Sequence, residues 1–176
     1  MGQETKLAHR KGVKTLKLVT AAGEPVAEQE VSIRLTNHQF LFGCGVFDAI
    51  EVANRSVSEE RLAFLEEKLS LYLDVFNYGT LPFYWARFEP ERGKPRTAEY
   101  KAAAEWLKVR NIKVKGHPLC WHTLTAPWLL EMSTEDILQA QLDRIERDVT
   151  DFRGLVDNWD VINEVVIMPI FDKYDN

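Results

Sequence analysis

The sequence predicts an α/β fold in which buried strands alternate with amphipathic helices. Three observations carry this. From residue 40 the chain reads β-α-β-α-β-α-β, with strand starts recurring about every 35 to 45 residues. The helical stretches keep their apolar residues on one face. The 176 residues are 45% hydrophobic and 28% charged, a globular rather than a disordered balance. Such alternation implies parallel strands joined by right-handed crossovers.

Residues 1–38 are expected to form a tail and a β-hairpin packing on the remainder of the chain. Val13, Leu16 and Leu18 precede a Gly23-Glu24-Pro25 turn, and Val31, Ile33 and Leu35 come after it at period two. "FLFGCGV", Phe40 to Val46, is a short continuous apolar run and reads as a strand buried on both faces. Ser56 and Glu59 then make a capping box for a helix carrying Leu62, Leu65 and Leu69 on one face. "DVFNYG", Asp74 to Gly79, is the second strand, and a Pro/Gly-rich loop, "FEPERGKPRT", comes after it. Thr97 caps a second helix, Ala98 to about Val109. "IKVKGHPLCWH" is the third strand running into its loop. Ser133 caps a third helix, whose Leu138, Leu142, Ile145, Val149 and Phe152 step by four and three along one face. "VDNWDVINEVV" is the fourth strand.

Two architectures fit this order: a doubly wound sheet and a (β/α)8 barrel of the TIM type. The first would carry a glycine-rich phosphate fingerprint after its first strand, and "FGCGVFD" has too few glycines and no helix directly behind it. In the second, function gathers where the strands end. The unusual residues fall there: Cys44, Asn77, His117 to His122, and Asn163-Glu164. A full barrel takes about 250 residues or more, so residues 39–176 are expected to be its N-terminal half, the first four βα steps. An open half exposes the edges of its first and fourth strands. A second copy, or the missing C-terminal half, would close it.

Composition removes several classes of function. The net charge is −5, and no Lys/Arg cluster is interleaved with aromatics, so nucleic acid is not the expected partner. No apolar run approaches the roughly 18 residues of a membrane helix. The opening "MGQETKLAHRKG" lacks the apolar stretch of a signal peptide. Cys44 and Cys120 lie in no CxxC pair and in no zinc-like spacing with histidine. They are expected to be free and buried near strand ends, with a disulfide as the alternative.

"GHPLCWH", the Pro127-Trp128 pair after it and "WDVINEV" occur in an order and spacing that resemble glycoside hydrolase family 10, the family of endo-β-1,4-xylanases. In that family the third strand carries G-H-T-L-V-W-H and the fourth W-D-V-V-N-E. Phe76-Asn77, Glu89-Pro90 and Gly93 also fall where the family has them. The resemblance covers about residues 40 to 176. It implies a retaining double displacement between two carboxyls about 5–5.5 Å apart, with no metal and no cofactor. Glu164 is then the general acid/base, with a pKa that apolar surroundings or a neighbouring charge must raise. Asn163 would bond the 2-hydroxyl of the sugar beside the cleaved bond. His117 and Trp121 would line its subsite, His122 would orient neighbours, and Asn77 is a further contact. The substrate implied is a β-1,4-linked polysaccharide, and the compartment implied is secreted or periplasmic.

Each residue also has a plainer reading. Glu164 could pair with a lysine or arginine at a strand end, Asn163 could cap a turn, the histidines could be buried and bonded, and Trp121 could be core. Two departures from the family matter as well. Its Glu-Asn-x-x-Lys-Trp after the second strand is replaced by "TLPFYWARFEP", where Phe83 or Tyr84 could stack on sugar instead. Its nucleophile, a glutamate ending the seventh strand, has no counterpart among four strands, so the isolated chain is expected to hydrolyse little. A related glycosidase acting on another β-glycan, and a non-catalytic carbohydrate-binding or assembly fragment, are the alternatives.

Overall fold

A computed structural model describes residues 11–166. The first ten residues of the expected tail lie outside them. The chain divides into two units, Met1–Thr36 and Asn37–Asn176. In the first unit the chain reverses at the expected turn. Gly23 N donates to Thr20 O and Val26 N to Leu18 O. Among the described residues of this unit, pairing is confined to one antiparallel bridge, Val19 with Pro25, rather than extending along two strands. Val13, Leu16, Ile33 and Leu35 are exposed, so the period-two pattern does not mark a buried face within this unit.

The second unit holds four parallel strands in the order β1-β2-β3-β4. They are Gly43–Gly45, Tyr78–Pro82, Lys113–His117 and Asn158–Trp159. Helix α1, Asp48–Asn54, directly follows β1, where the sequence suggested none. Helix α2, Glu59–Val75, comes next. Its cap is Ser58, whose Oγ accepts from Arg61 N at 3.3 Å. Ser56 does not fill that role; its own N–H donates to Glu51 O in closing α1. Leu62, Leu65 and Leu69 are buried on one face, as expected.

Helix α2 continues through Asp74 and Val75, so β2 starts four residues later than the sequence suggested. A short helix α3, Trp85–Phe88, opens the next loop. Helix α4, Thr97–Lys108, has Arg96 rather than Thr97 at the cap position, with no side-chain cap. A 3-10 turn, Pro127–Glu131, leads to helix α5, Thr134–Asp151. There Ser133 caps as expected, accepting from Asp136 N at 3.2 Å.

The core lies between the sheet and the helices. Phe83, Phe88, Tyr100 and Phe152 are fully buried, with Phe83 packing on Phe88, Tyr100, Phe152 and Trp159 at centroid distances of 4.7–5.1 Å. Gly116 is required beneath this cluster, because a Cβ there would stand 2.3 Å from the Trp159 ring. Two expectations about burial are corrected. Strand β1 is exposed along all three residues, as are Phe40, Leu41 and Phe42, since β1 has a neighbour on one side only. On α5, Leu138, Leu142 and Val149 are exposed, and the buried residues are Arg144 and Asp148. The inward face of α5 is polar because Arg144 on it satisfies the loop carbonyls of Phe83, Pro118 and Leu119. Cys44 and Cys120 are both free, but Cys44 is exposed rather than buried.

Candidate active site

All four strands run the same way, so their C-terminal ends form one rim. Period-two alternation sorts the residues of β3 onto two faces. Val114 and Gly116 face the helices, where Val114 is buried in the core and Gly116 meets Trp159. Lys115 and His117 face the opposite side. Asp160, just past β4, reaches both: Lys115 Nζ lies 2.8 Å and His117 Nδ1 2.7 Å from the same oxygen, Oδ2. Burial pushes the Asp160 carboxyl up, but the hydrogen bonds from Lys115 and His117 outweigh it and hold the group below the usual carboxylate range.

The loop after β3 stays in register with the chain after β4. Leu119 N donates to Asp160 O, Cys120 N to Val161 O and Asn163 N to Cys120 O, each at 2.9 Å. A parallel bridge joins Cys120 to Ile162. This pairing sets Trp121 beside Glu164, and the Trp121 indole Nε1 donates to Glu164 Oε2 at 2.7 Å. Glu164 is exposed, and among the described residues no lysine or arginine pairs with it. The strand-end ion pair is therefore not what holds it. Its φ of 52° is left-handed, a conformation costing a non-glycine residue about 1–2 kcal/mol. Glu28, Arg55, Asn111 and Leu124 share a positive φ, so the conformation alone does not set Glu164 apart.

Tyr84 completes the wall. Its ring lies 5.5 Å from Trp121, 5.8 Å from His117 and 6.1 Å from Phe47. Trp121 and His122 are both half-buried, with centroids 6.3 Å apart. Trp121 belongs to neither buried apolar cluster. Asn163 is half-buried, and its side-chain amide makes no hydrogen bond among the described residues. Of the two aromatic candidates after β2, Phe83 is in the core and Tyr84 is at the rim. Among the described residues no three His, Cys, Asp or Glu converge as a metal site requires.

Asn77 is placed elsewhere and is corrected. It precedes β2, at the opposite end of the sheet from Glu164. Its Nδ2 donates to His38 O at 2.9 Å and Phe40 O at 3.0 Å, and its Oδ1 accepts from Phe42 N at 2.8 Å. It staples the chain entering β1. A cavity of about 600 Å³ opens there, lined by His38, Asn77, Lys108, Lys113 and Asp157 among others, far from the glutamate rim.

A buried polar network that the sequence did not announce supports the rim from below. Arg144 donates to the carbonyls of Leu119 at 2.8 Å, Pro118 at 3.3 Å and Phe83, and pairs with Asp148 at 3.2 Å. Arg147 bridges Asp148 and Glu89, each at 2.9 Å, and Glu89 Oε2 accepts from Trp85 Nε1 at 3.0 Å. Burial pulls the Arg144 pKa down and pushes that of Asp148 up despite both arginines. Arg144 thereby ties α5 to the residues just before Tyr84 and Trp121. An arginine and an aspartate four apart in mid-helix were the available signal.

A parallel sheet flanked by helices, with aromatic and carboxylate side chains gathered at its C-terminal rim, defines part of a (β/α)8 barrel. Comparison with known proteins carries this further. Residues 82–169, half of the chain, match Glycosyl hydrolase family 10, and the chain belongs to that family. Endo-1,4-beta-xylanase B of Thermotoga neapolitana is 34% identical over 84 residues, 47% of this chain and 24% of that protein. Anti-sigma-I factor RsgI6 of Acetivibrio thermocellus is 25% identical over 156 residues, 86% of this chain and 19% of that protein. Among solved structures, xylanase 10B from Thermotoga petrophila RKU-1 in complex with xylobiose is 26% identical with a TM-score of 0.55, covering 70% of this chain and 36% of that one. A GH10 endoxylanase from a sugarcane soil metagenome shares the fold at a TM-score of 0.61 and 21% identity, over 76% of this chain and 40% of that one. The chain thus spans about a quarter or less of these two curated relatives and no more than two-fifths of these two solved barrels.

Proposed function

We propose that this chain carries the acid/base half of a retaining endo-β-1,4-xylanase site, with Glu164 as the proton donor. The observation that supports this most is the Trp121–Glu164 hydrogen bond at the strand rim, 2.7 Å long, beside His117 and Tyr84. It aims an exposed carboxyl across an aromatic wall, an arrangement that suits a sugar ring better than an ion pair. In the first step Glu164 gives its proton to the glycosidic oxygen as that oxygen leaves C1 and the nucleophile's carboxylate bonds to C1. In the second, Glu164 takes a proton from water, whose oxygen attacks C1 and frees the nucleophile. Asn163 bonds the 2-hydroxyl and His117 a neighbouring hydroxyl, while Tyr84 and Trp121 stack on apolar sugar faces. Among the described residues only the fourth strand runs into a glutamate, so the nucleophile comes from another segment and these residues alone hydrolyse little.

A chimera that continues this chain into the C-terminal half of a family-10 xylanase tests the reading. It should hydrolyse xylan, and Glu164→Gln should lower the rate by about 10²-fold or more, the usual weight of a positioned acid/base group. A folded chimera whose activity ignores Glu164→Gln would overturn it. A second reading is carbohydrate binding without cleavage. It is favoured by "TLPFYWARFEP" in place of polar sugar contacts, and one relative matched over 156 residues is named as an anti-sigma factor rather than an enzyme. A chimera that binds xylohexaose without cutting it would select this reading.

A further inference from the structure

A charged ladder on the inner face of β3 and β4 has no assigned role. We infer that Lys115 and Asp160 are positioning residues that lock the neutral His117 ring as the Nδ1–H tautomer, so that its Nε2 is a hydrogen-bond acceptor facing the rim. Both partners converge on one oxygen, Asp160 Oδ2, at 2.8 Å from Lys115 Nζ and 2.7 Å from His117 Nδ1. Lysine can only donate, and an ionised carboxylate can only accept. Nδ1 must therefore carry hydrogen toward Asp160, and neutral imidazole then presents a lone pair at Nε2. Among the described residues Nε2 has no hydrogen-bond partner, and the His117 side chain is 21% exposed beside Tyr84.

The placement is set by the backbone. His117 and Lys115 are two residues apart on β3, and parallel pairing aligns Gly116 with Trp159, the residue before Asp160. Asp160 N donates to Gly116 O at 3.0 Å, so the carboxylate is fixed by a main-chain bond as well as by its two donors. Lysine has a further duty. By donating to the same oxygen it fixes where Asp160 presents its acceptor to the ring. Orientation of an imidazole by a carboxylate on its far nitrogen is a general device for choosing which ring nitrogen meets a ligand.

The consequence, resting on the proposed sugar site, is selective. An acceptor at Nε2 requires a hydroxyl donor from the ligand, and a ligand with that hydroxyl methylated or removed leaves a lone pair unmatched. A histidine in the other tautomer would offer a donor and take the free or the methylated hydroxyl alike.

Long-range nitrogen–proton correlation of the imidazole rings, on this chain at about pH 8.5, well above the ordinary histidine pKa of about 6.5, tests the lock. His117 should give the Nδ1–H pattern nearly alone. Asp160→Ala should convert it to the Nε2–H form that prevails in water. Asp160→Asn should keep Nδ1–H, because Lys115 holds the amide oxygen inward. A wild-type spectrum dominated by Nε2–H would overturn the lock, and that measurement needs no variant to fold. Titration with xylohexaose separates the lock from the sugar reading. Joint movement of the Trp121 indole and His117 Nε2 signals supports both. Movement of Trp121 without His117 overturns the acceptor role. Movement of neither removes the sugar site, while the tautomer result still decides the lock.

Discussion

The inner and outer strands of this sheet both have apolar residues in or beside them and differ in structure. Strands β2 and β3 are five residues long and paired on both sides. Strands β1 and β4 have three and two residues and one neighbour each. Apolar residues around the inner pair, such as Leu81, Phe83 and Val114, are fully buried, while Phe40 and Phe42 beside β1 and Val161 and Ile162 beyond β4 are exposed. An apolar residue is buried only as far as its neighbours extend, whatever its pattern says. The candidate site straddles this divide. His117 and Tyr84 stand on the firm side, over the Arg144 network, and Glu164 stands on the loose side, held by one bridge and one indole.

The largest break in that contrast should come from Arg144→Met. It leaves the buried Asp148 with Arg147 alone and strips the donor from the carbonyls of Phe83 and Pro118, while Leu119 O keeps Gln141 Nε2. Losing one member of a buried pair costs about 3–5 kcal/mol. Urea denaturation should show that loss, with Tyr84 and Trp121 resonances broadened together. A loss below about 1 kcal/mol would mean that the firm side does not depend on α5. Next comes Gly116→Ala, whose methyl would enter the Trp159 ring. Overpacking of this kind costs about 1–3 kcal/mol, and the same substitution at the exposed Gly154, where a Cβ meets nothing within 4 Å, is a fit comparison only for space, since its φ is +79°.

A third prediction concerns acid. The folded pKa of Asp160 lies below the usual carboxylate range, so its stabilisation is present above the unfolded pKa of about 3.9 and is lost as pH falls through the lower folded value. Lys115→Met removes one of the two donors that depress it, so the gap in stability between variant and wild type should be clear at pH 7 and close as the pH falls below about 4. An unchanging gap across that window would mean the lysine acts by packing alone. The smallest effect should be that of Trp121→Phe. The bond it removes is exposed, so stability should move within about 0.5 kcal/mol, while affinity for xylohexaose falls because Glu164 loses its one described anchor.

Legibility follows the same divide. The alternation of strands and helices, the α2 face of Leu62, Leu65 and Leu69, the Ser133 cap and the family could all be read in advance, since each rests on local pattern or motif. Asn77 could not be placed, because a four-residue shift in where β2 starts moves it from the rim to the opposite end. Ser56 was misread as a cap because it sits in the close of an unforeseen helix α1. The polar inward face of α5 was hidden by a more regular apolar stripe, whose Leu138 and Leu142 have no cover among the described residues. Lys115 and Asp160 were in plain view beside the motif, but their convergence on one oxygen depends on register between two strands, which no single stretch encodes.

The central claim is that Glu164 opens into a cleft that holds sugar. The most direct measurement is a xylohexaose titration of the chain, selectively carbon-labelled at its glutamate carboxyls and nitrogen-labelled at its tryptophan indoles. The account predicts that the Glu164 carboxyl and the Trp121 indole shift together with one binding curve, while Glu89 and Trp128, on the far side of the Arg144 network, stay still. Shifts confined to Glu89 and Trp128, with Glu164 and Trp121 unmoved at saturation, would contradict it.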